Sequence, residues 1–137
     1  MKAVSTKIFA IRCAISMAAA FNFNAHADLL SDCLATVEPI NKSAPITVDQ
    51  VTTLFNAMCS LDGQIVTMVY REKLSGQPGA VNQAKINSNL RPRFIQMWCT
   101  NPDQIKTLSF FNVQYNYVDV AGNYIGKLDI SKRDCKN

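Results

Sequence analysis

Apolar positions recur at helical spacing from Asp28 to Val37. Leu29, Leu30, Cys33, Leu34 and Val37 share a face, with Asp28 or Ser31 placed to cap it. Glu38-Pro39 is expected to end that helix, because the residue before proline resists the α conformation. Asn41 to Pro45 reads as a connector. Thr47 to Ser60 is rich in β-branched residues and reads as a strand, Leu61-Asp62-Gly63-Gln64 as a turn, and Ile65 to Leu74 as the returning strand. In the returning strand Val66, Met68, Tyr70 and Leu74 share one face. Ile65, Thr67, Val69, Arg71 and Lys73 share the other. Ser75 to Gly79 is rich in breakers and predicts a loop.

The pattern then turns helical again. Ala80 to Leu90 presents Val81, Ala84, Ile86 and Leu90 inward. Pro92 interrupts as a kink or as the start of a new turn, and Phe94, Ile95, Met97 and Trp98 continue the apolar face. Asn101-Pro102-Asp103 has the order cap, proline, acid and predicts a short helix to about Leu108. Phe110 to Val120 alternates strictly, with Phe111, Val113, Tyr115 and Tyr117 on one face. Ala121-Gly122-Asn123 turns the chain, and Tyr124 to Ile130 returns. The expected fold is α+β in the order α-ββ-αα-ββ: a four-stranded antiparallel sheet of two hairpins, with helices on one face.

The first 27 residues stand apart. Lys2, Lys7 and Arg12 precede an apolar run from Cys13 to Phe23, and Ala25-His26-Ala27 has the small-x-small form of a signal-peptidase site. That run is too short to span a bilayer as a helix. The expectation is a signal peptide of bacterial type over 1–27, cleavage after Ala27, and a single domain over 28–137 with no stable membrane insertion afterwards. Fourteen basic residues face ten acidic ones in the whole chain, for a net charge of +4. Without the three leading cations the balance falls to +1, which removes the electrostatic case for nucleic acid.

Export changes the meaning of the cysteines. Cys13 leaves with the leader, and Cys33, Cys59, Cys99 and Cys135 remain. An even count in an oxidising compartment predicts two disulfides. Three pairings are possible. Cys33–Cys59 with Cys99–Cys135 is preferred, because each bridge then staples neighbouring elements. No C-x-x-C spacing supports zinc or thiol redox chemistry.

The chemistry that remains is sparse. The single histidine, His26, lies in the leader, so histidine-dependent nucleophile pairs and histidine metal ligands are excluded from the mature chain. Neither phosphate-binding nor dinucleotide-binding glycine motifs occur. The carboxylate pairs Asp28/Asp32 and Asp119/Asp129 could in principle serve glycoside chemistry, but a cap and a polar hairpin rim account for them. Arg91 and Arg93 flank Pro92 and could hold an anion or a partner carboxylate; a solvated face, or a pair with Asp103 or Glu72, is the plainer account. Tyr115, Tyr117 and Tyr124 could form a recognition surface or pack in the sheet. Trp98 reads as a core anchor. No catalytic residue, metal or cofactor is expected.

From Leu90-Arg91-Pro92 to Cys99, and again from Tyr115-x-Tyr117-x-Asp119-x-x-Gly122-x-Tyr124-Ile125 to Asp134-Cys135, the chain resembles a broad group of small exported bacterial proteins of uncharacterised function. The resemblance covers most of the mature chain. It implies a shared fold and the Cys99–Cys135 bridge, and no activity. Cys33 and Cys59 are additions to that pattern. The expectation is a periplasmic or secreted interaction protein without catalysis, such as an inhibitor or immunity-type protein. Its partner would be another envelope or secreted protein, and Tyr115, Tyr117 and Tyr124 would face outward with Arg91 and Arg93 nearby. The alternatives are an accessory subunit of an envelope or secretion assembly and, third, a carboxylate-based hydrolase.

Overall fold

Asp28 opens the first helix by accepting the Ser31 N–H at 3.2 Å, and α1 then runs Leu29–Ser43. A computed structural model describes residues 28–76 and 79–136. The expected leader, with Cys13 and His26, lies outside the described residues, as do Gln77 and Pro78 of the expected loop.

The helix does not stop at Glu38. Pro39 sits inside it, and the chain stays helical for another turn. An interior proline costs about 3 kcal/mol, but the next residues recover it. Ile40 is buried, and burial of such a side chain contributes about 2 kcal/mol. Asn41 adds two hydrogen bonds to Ala57, each 2.8 Å long. Tertiary contacts outweigh the local signal.

The expected strand from Thr47 to Ser60 is two strands. β1 is Ile46–Thr47 and β2 is Thr52–Asp62; the chain reverses between them, with the Val48 N–H donating to the Thr52 carbonyl and the Val51 N–H to Asp49 Oδ1. Asp49 makes the turn with its own side chain, as short polar residues do. β3, Ile65–Leu74, follows a tight turn in which Gly63 takes φ +60°, a conformation that glycine adopts without penalty.

A helical run then crosses the sheet: α2 (Gln83–Lys85), a π turn (Ile86–Leu90) and α3 (Arg91–Thr100), followed by α4 (Pro102–Leu108). The π turn precedes Pro92 and passes the Arg91 N–H to the Ile86 carbonyl, so the run continues past a residue that lacks its own donor. Asn101 Oδ1 caps α4 through the Asp103 N–H at 2.9 Å. β4 (Phe111–Val118), β5 (Tyr124–Ile130) and a 3-10 turn (Lys132–Asp134) complete the chain.

The sheet has five strands in the order β1-β2-β3-β4-β5 and is mixed. β3 and β4 run parallel, with Val66 opposite Phe111 and Tyr70 opposite Tyr115. This corrects the expectation of four antiparallel strands. Parallel neighbours require a crossover of a dozen or more residues, and the helices between Leu74 and Phe111 supply it. The sheet's inner face carries Met68, Tyr70, Phe111, Val113, Tyr115, Tyr117, Leu128 and Ile130, all buried. Cys33, Val37 and Ile40 of α1 and Phe94 and Trp98 of α3 join them in one core. Helices therefore cover one face, as the sequence pattern implied, while the other carries polar residues such as Asn112, Gln114 and Asn116.

One irregularity sets the β2 register. Leu54 stands opposite Glu72, but Asn56 stands opposite Arg71, so Phe55 is an extra residue. Phe55 turns to the outer face, where the Arg71 guanidinium lies 5.0 Å from its ring centroid. Beyond it Ala57 and Cys59 face α1.

Candidate functional site

The five residues expected to form a recognition surface do not come together. Tyr115 and Tyr117 are only 1% and 2% exposed and belong to the core, so they correct the expectation of an outward tyrosine surface. The cause is the alternation of β4, which turns its aromatic face toward the helices and its asparagine–glutamine face to solvent. Tyr115 packs its ring 4.5 Å from Phe94 and 5.2 Å from Tyr70, centroid to centroid. Tyr124 alone is outward, 64% exposed, at the start of β5. Arg93 is exposed on α3.

Arg91 reaches the C-terminal segment instead of Asp103 or Glu72. Its Nη2 donates to Asp134 Oδ1 at 2.7 Å. Asp134 also accepts the Ser131 N–H at 2.9 Å and closes a capping box with the Ser131 side chain. Partial burial pushes the Asp134 carboxyl up, yet the Ser131 N–H and the Arg91 hydrogen bond and charge together outweigh it, so the group lies below its ordinary value. A shallow pocket of about 290 Å³ lies here, lined by Thr67, Arg91, Asn112, Asp129, Arg133 and Asp134 among others. Arg91 and Ser131 both serve Asp134, and Asp129 accepts from Gln114 Nε2 at 2.7 Å.

Three of the four paired carboxylates have structural partners. Asp28 is a cap. Asp119 folds into the β4–β5 turn, where it accepts the Asn123 N–H at 2.8 Å and the Ala121 N–H at 2.9 Å; the Asn123 bond is the main reason its carboxyl is lowered. Asp129 stands opposite Gln114 in the ladder, while Asp119 lies beyond the last pair, Val118 and Tyr124, so the two do not face each other. Among the described residues no cluster of three or more histidine, cysteine, aspartate or glutamate side chains is placed to hold a metal. No described helix is long and apolar enough to cross a membrane.

The cysteines are joined as Cys33–Cys59 and Cys99–Cys135, with Cα–Cα distances of 6.1 and 5.1 Å. The first ties α1 to β2; the second ties the end of α3 to the C-terminal segment beside Asp134.

The sheet edges hold a feature that sequence reasoning missed. Asn41 Nδ2 donates to the Ala57 carbonyl while its Oδ1 accepts the Ala57 N–H. At the opposite edge Gln83 Nε2 donates to the Lys127 carbonyl at 2.7 Å and its Oε1 accepts the Lys127 N–H at 2.9 Å. Each carboxamide stands in for one residue of an absent strand and blocks one place where a foreign strand could pair. A lone amide on a helix carries no signal of this in the sequence. Beyond Ala57, toward the β2–β3 turn, the edge has no plug among the described residues. There Met58 is 46% and Leu61 55% exposed.

No family model matches the chain, and no curated protein matches it. Solved structures do. The crystal structure of a candidate secreted protein from Pseudomonas aeruginosa superposes with a TM-score of 0.66 at 9% identity, covering 82% of this chain and 100% of that one. A pilotin of the Vibrio vulnificus type 2 secretion system, EpsS, superposes with a TM-score of 0.56 at 14% identity, covering 80% of this chain and 93% of that one. At such identities the likeness is one of fold.

Proposed function

We propose that this chain is an exported, non-catalytic accessory subunit of a cell-envelope or secretion assembly, which works by holding a partner protein against a rigid, disulfide-pinned sheet. The observation that carries this reading is the likeness of fold to a secretion-system pilotin over 93% of that protein's length. The likeness to a candidate secreted protein supports the exported location. Two disulfides fit an oxidising compartment, periplasmic or extracellular. The pocket supports contact over chemistry, since Arg91 and Asp134 hold the C-terminal segment in place and Asp129 is engaged by Gln114 of β4. An inhibitor or immunity-type protein would use a surface of the same kind, and the pilotin likeness favours the accessory subunit over it.

The test is photo-crosslinking in the native bacterium, with a photoreactive amino acid placed singly at the exposed positions Met58, Val120 and Tyr124. The expected result is a chain in the envelope fraction, with both bridges intact, that forms adducts with one subunit of an envelope or secretion assembly. A cytosolic chain with free thiols overturns the reading, as does the absence of any dominant adduct at all three positions.

A further inference from the structure

The pocket beside the C-terminal segment is built by the sheet and by the chain that follows it. Thr67 of β3 and Asn112 of β4 stand side by side in the ladder, and Asp129 of β5 stands opposite Gln114. The sheet thus brings a hydroxyl, a carboxamide and a carboxylate to one end of the face that no helix covers. The chain then folds back over that end. Ser131 and Asp134 close their capping box, Arg91 holds Asp134 at 2.7 Å, and Cys135 is bonded to Cys99. These ties fix the backbone on both sides of Arg133, whose side chain completes the wall.

The charged groups of this wall are not all spent on one another. Arg91 and Asp134 form one ion pair. Asp129 and Arg133 form none together. Asp129 gives Oδ1 to Gln114 at 2.7 Å, while its Oδ2 lies 3.6 Å from Lys127 Nζ, longer than a hydrogen bond and between two half-exposed side chains. Arg133 is exposed, and its guanidinium has no hydrogen bond or ion pair among the described residues. The Thr67 hydroxyl and the Asn112 carboxamide are half-buried and likewise have no hydrogen-bond partner among the described residues. Both can donate and accept.

This set selects against a ligand of single charge. A lone anion would gain from Arg133 and be repelled by Asp129 and Asp134. A lone cation would gain from Asp129 and be repelled by Arg91 and Arg133. A molecule that carries one charge of each sign escapes both penalties. Hydrogen bonding narrows the choice, because a guanidinium takes a planar carboxylate through two parallel bonds, and the Asp129 Oδ2 is open to an N–H donor. The pocket, at about 290 Å³, has far more room than a single water or ion needs.

We propose that this pocket binds a small zwitterionic amino acid, with the carboxylate on Arg133, Asn112 and Thr67 and the ammonium on Asp129. Binding is non-catalytic. The proposal goes beyond the accessory-subunit reading and does not rest on it.

The probes are glycine, β-alanine and γ-aminobutyrate, which space the two charges progressively further apart. Each is titrated to millimolar concentration, at constant ionic strength, into the isotope-labelled mature chain with both bridges formed, and amide shifts are followed. Saturable shifts at Thr67, Asn112, Asp129 and residues 131–134 are expected for at least one spacing. Acetate alone and methylammonium alone should each bind about tenfold or more weakly than that zwitterion. Arg133→Gln and Asp129→Asn, both at exposed positions, should each weaken it by about the same factor. Lys127→Gln, which removes the cation competing for Asp129, should strengthen it. Near-ultraviolet dichroism of Trp98 checks that each variant keeps its core. O-Phosphoethanolamine, with the charges of a lipid head group, should bind more weakly, because its additional negative charge faces Asp129 and Asp134. No saturable shift with any of the three amino acids overturns the proposal. So does equal binding of acetate, equal or tighter binding of O-phosphoethanolamine, unchanged binding in either Arg133→Gln or Asp129→Asn, or shifts confined to another surface.

Discussion

The Trp98 indole Nε1 donates to the Tyr115 hydroxyl at 3.0 Å, and both side chains are almost wholly buried. The bond joins α3 to the middle of the sheet. A tyrosine that the sequence suggests for the surface is therefore the polar anchor of the core. Tyr115→Phe keeps the ring and strands a buried indole donor. It should cost about 1–3 kcal/mol in urea unfolding, with loss of near-ultraviolet dichroism from Trp98. Tyr124→Phe, at an exposed position, should stay within about 0.5 kcal/mol of the parent.

The C-terminal segment should loosen in acid. Asp134 lies below its ordinary carboxyl value when folded, so its contribution is complete above about pH 4 and is lost as the pH falls through the lowered folded value. Asp119, lowered by its turn hydrogen bonds, acts in the same direction. Asp134→Asn should flatten the acid limb of stability measured between about pH 5 and pH 2, and Arg91→Gln should shift that limb upward in pH.

Gly126 faces inward on β5, where an added Cβ would lie 2.6 Å from Gln83 Oε1 and 2.8 Å from Ile86 Cδ1. Gly126→Ala should displace Gln83 from Lys127 and press on a buried isoleucine. The expected cost is about 1–3 kcal/mol. In hydrogen exchange the Lys127 amide should lose protection first, ahead of the β4 amides.

The two bridges close loops of similar length, with sequence separations of 26 and 36. Replacing either pair with serine should cost about 2–4 kcal/mol on the chain-entropy argument. Non-reducing peptide mapping should recover Cys33 with Cys59 and Cys99 with Cys135. If native material holds these cysteines as free thiols, the stapled scaffold is wrong.

Much of the scaffold was legible because short-range signals agreed with long-range packing. The Asp28 and Asn101 caps, the Asp62-Gly63 turn and the strict alternation of Phe111 to Tyr117 each act within a few residues. What escaped was decided elsewhere in the chain. Pro39 reads as a stop until the Asn41–Ala57 bonds are known. The run from Thr47 to Thr52 reads as continuous strand because its β-branched residues hide the Asp49 turn. The parallel pairing of β3 and β4 depends on where the intervening helices deliver the chain, which periodicity does not encode. Burial misled for Tyr115 and Tyr117 because alternation identifies two faces without saying which one is covered. At the sheet edges, Asn41 and Gln83 looked like ordinary surface amides, and only their partners reveal their role.

The extra residue at Phe55 reaches further than its own turn of strand. Leu54 and Ala57 both look toward α1 although three positions separate them, and Cys59 follows Ala57. The sulfur thus meets Cys33 only because the strand is read in one frame before the bulge and in the other after it. Straightening the bulge with Phe55 still present would aim that sulfur at solvent and Met58 at the helix, whereas deleting Phe55 would restore strict alternation and leave Cys59 opposite Met68, still facing Cys33. The cystine therefore tolerates this strand in two forms, one residue longer with the bulge or one residue shorter without it, and no form in which the extra residue lies in a regular ladder.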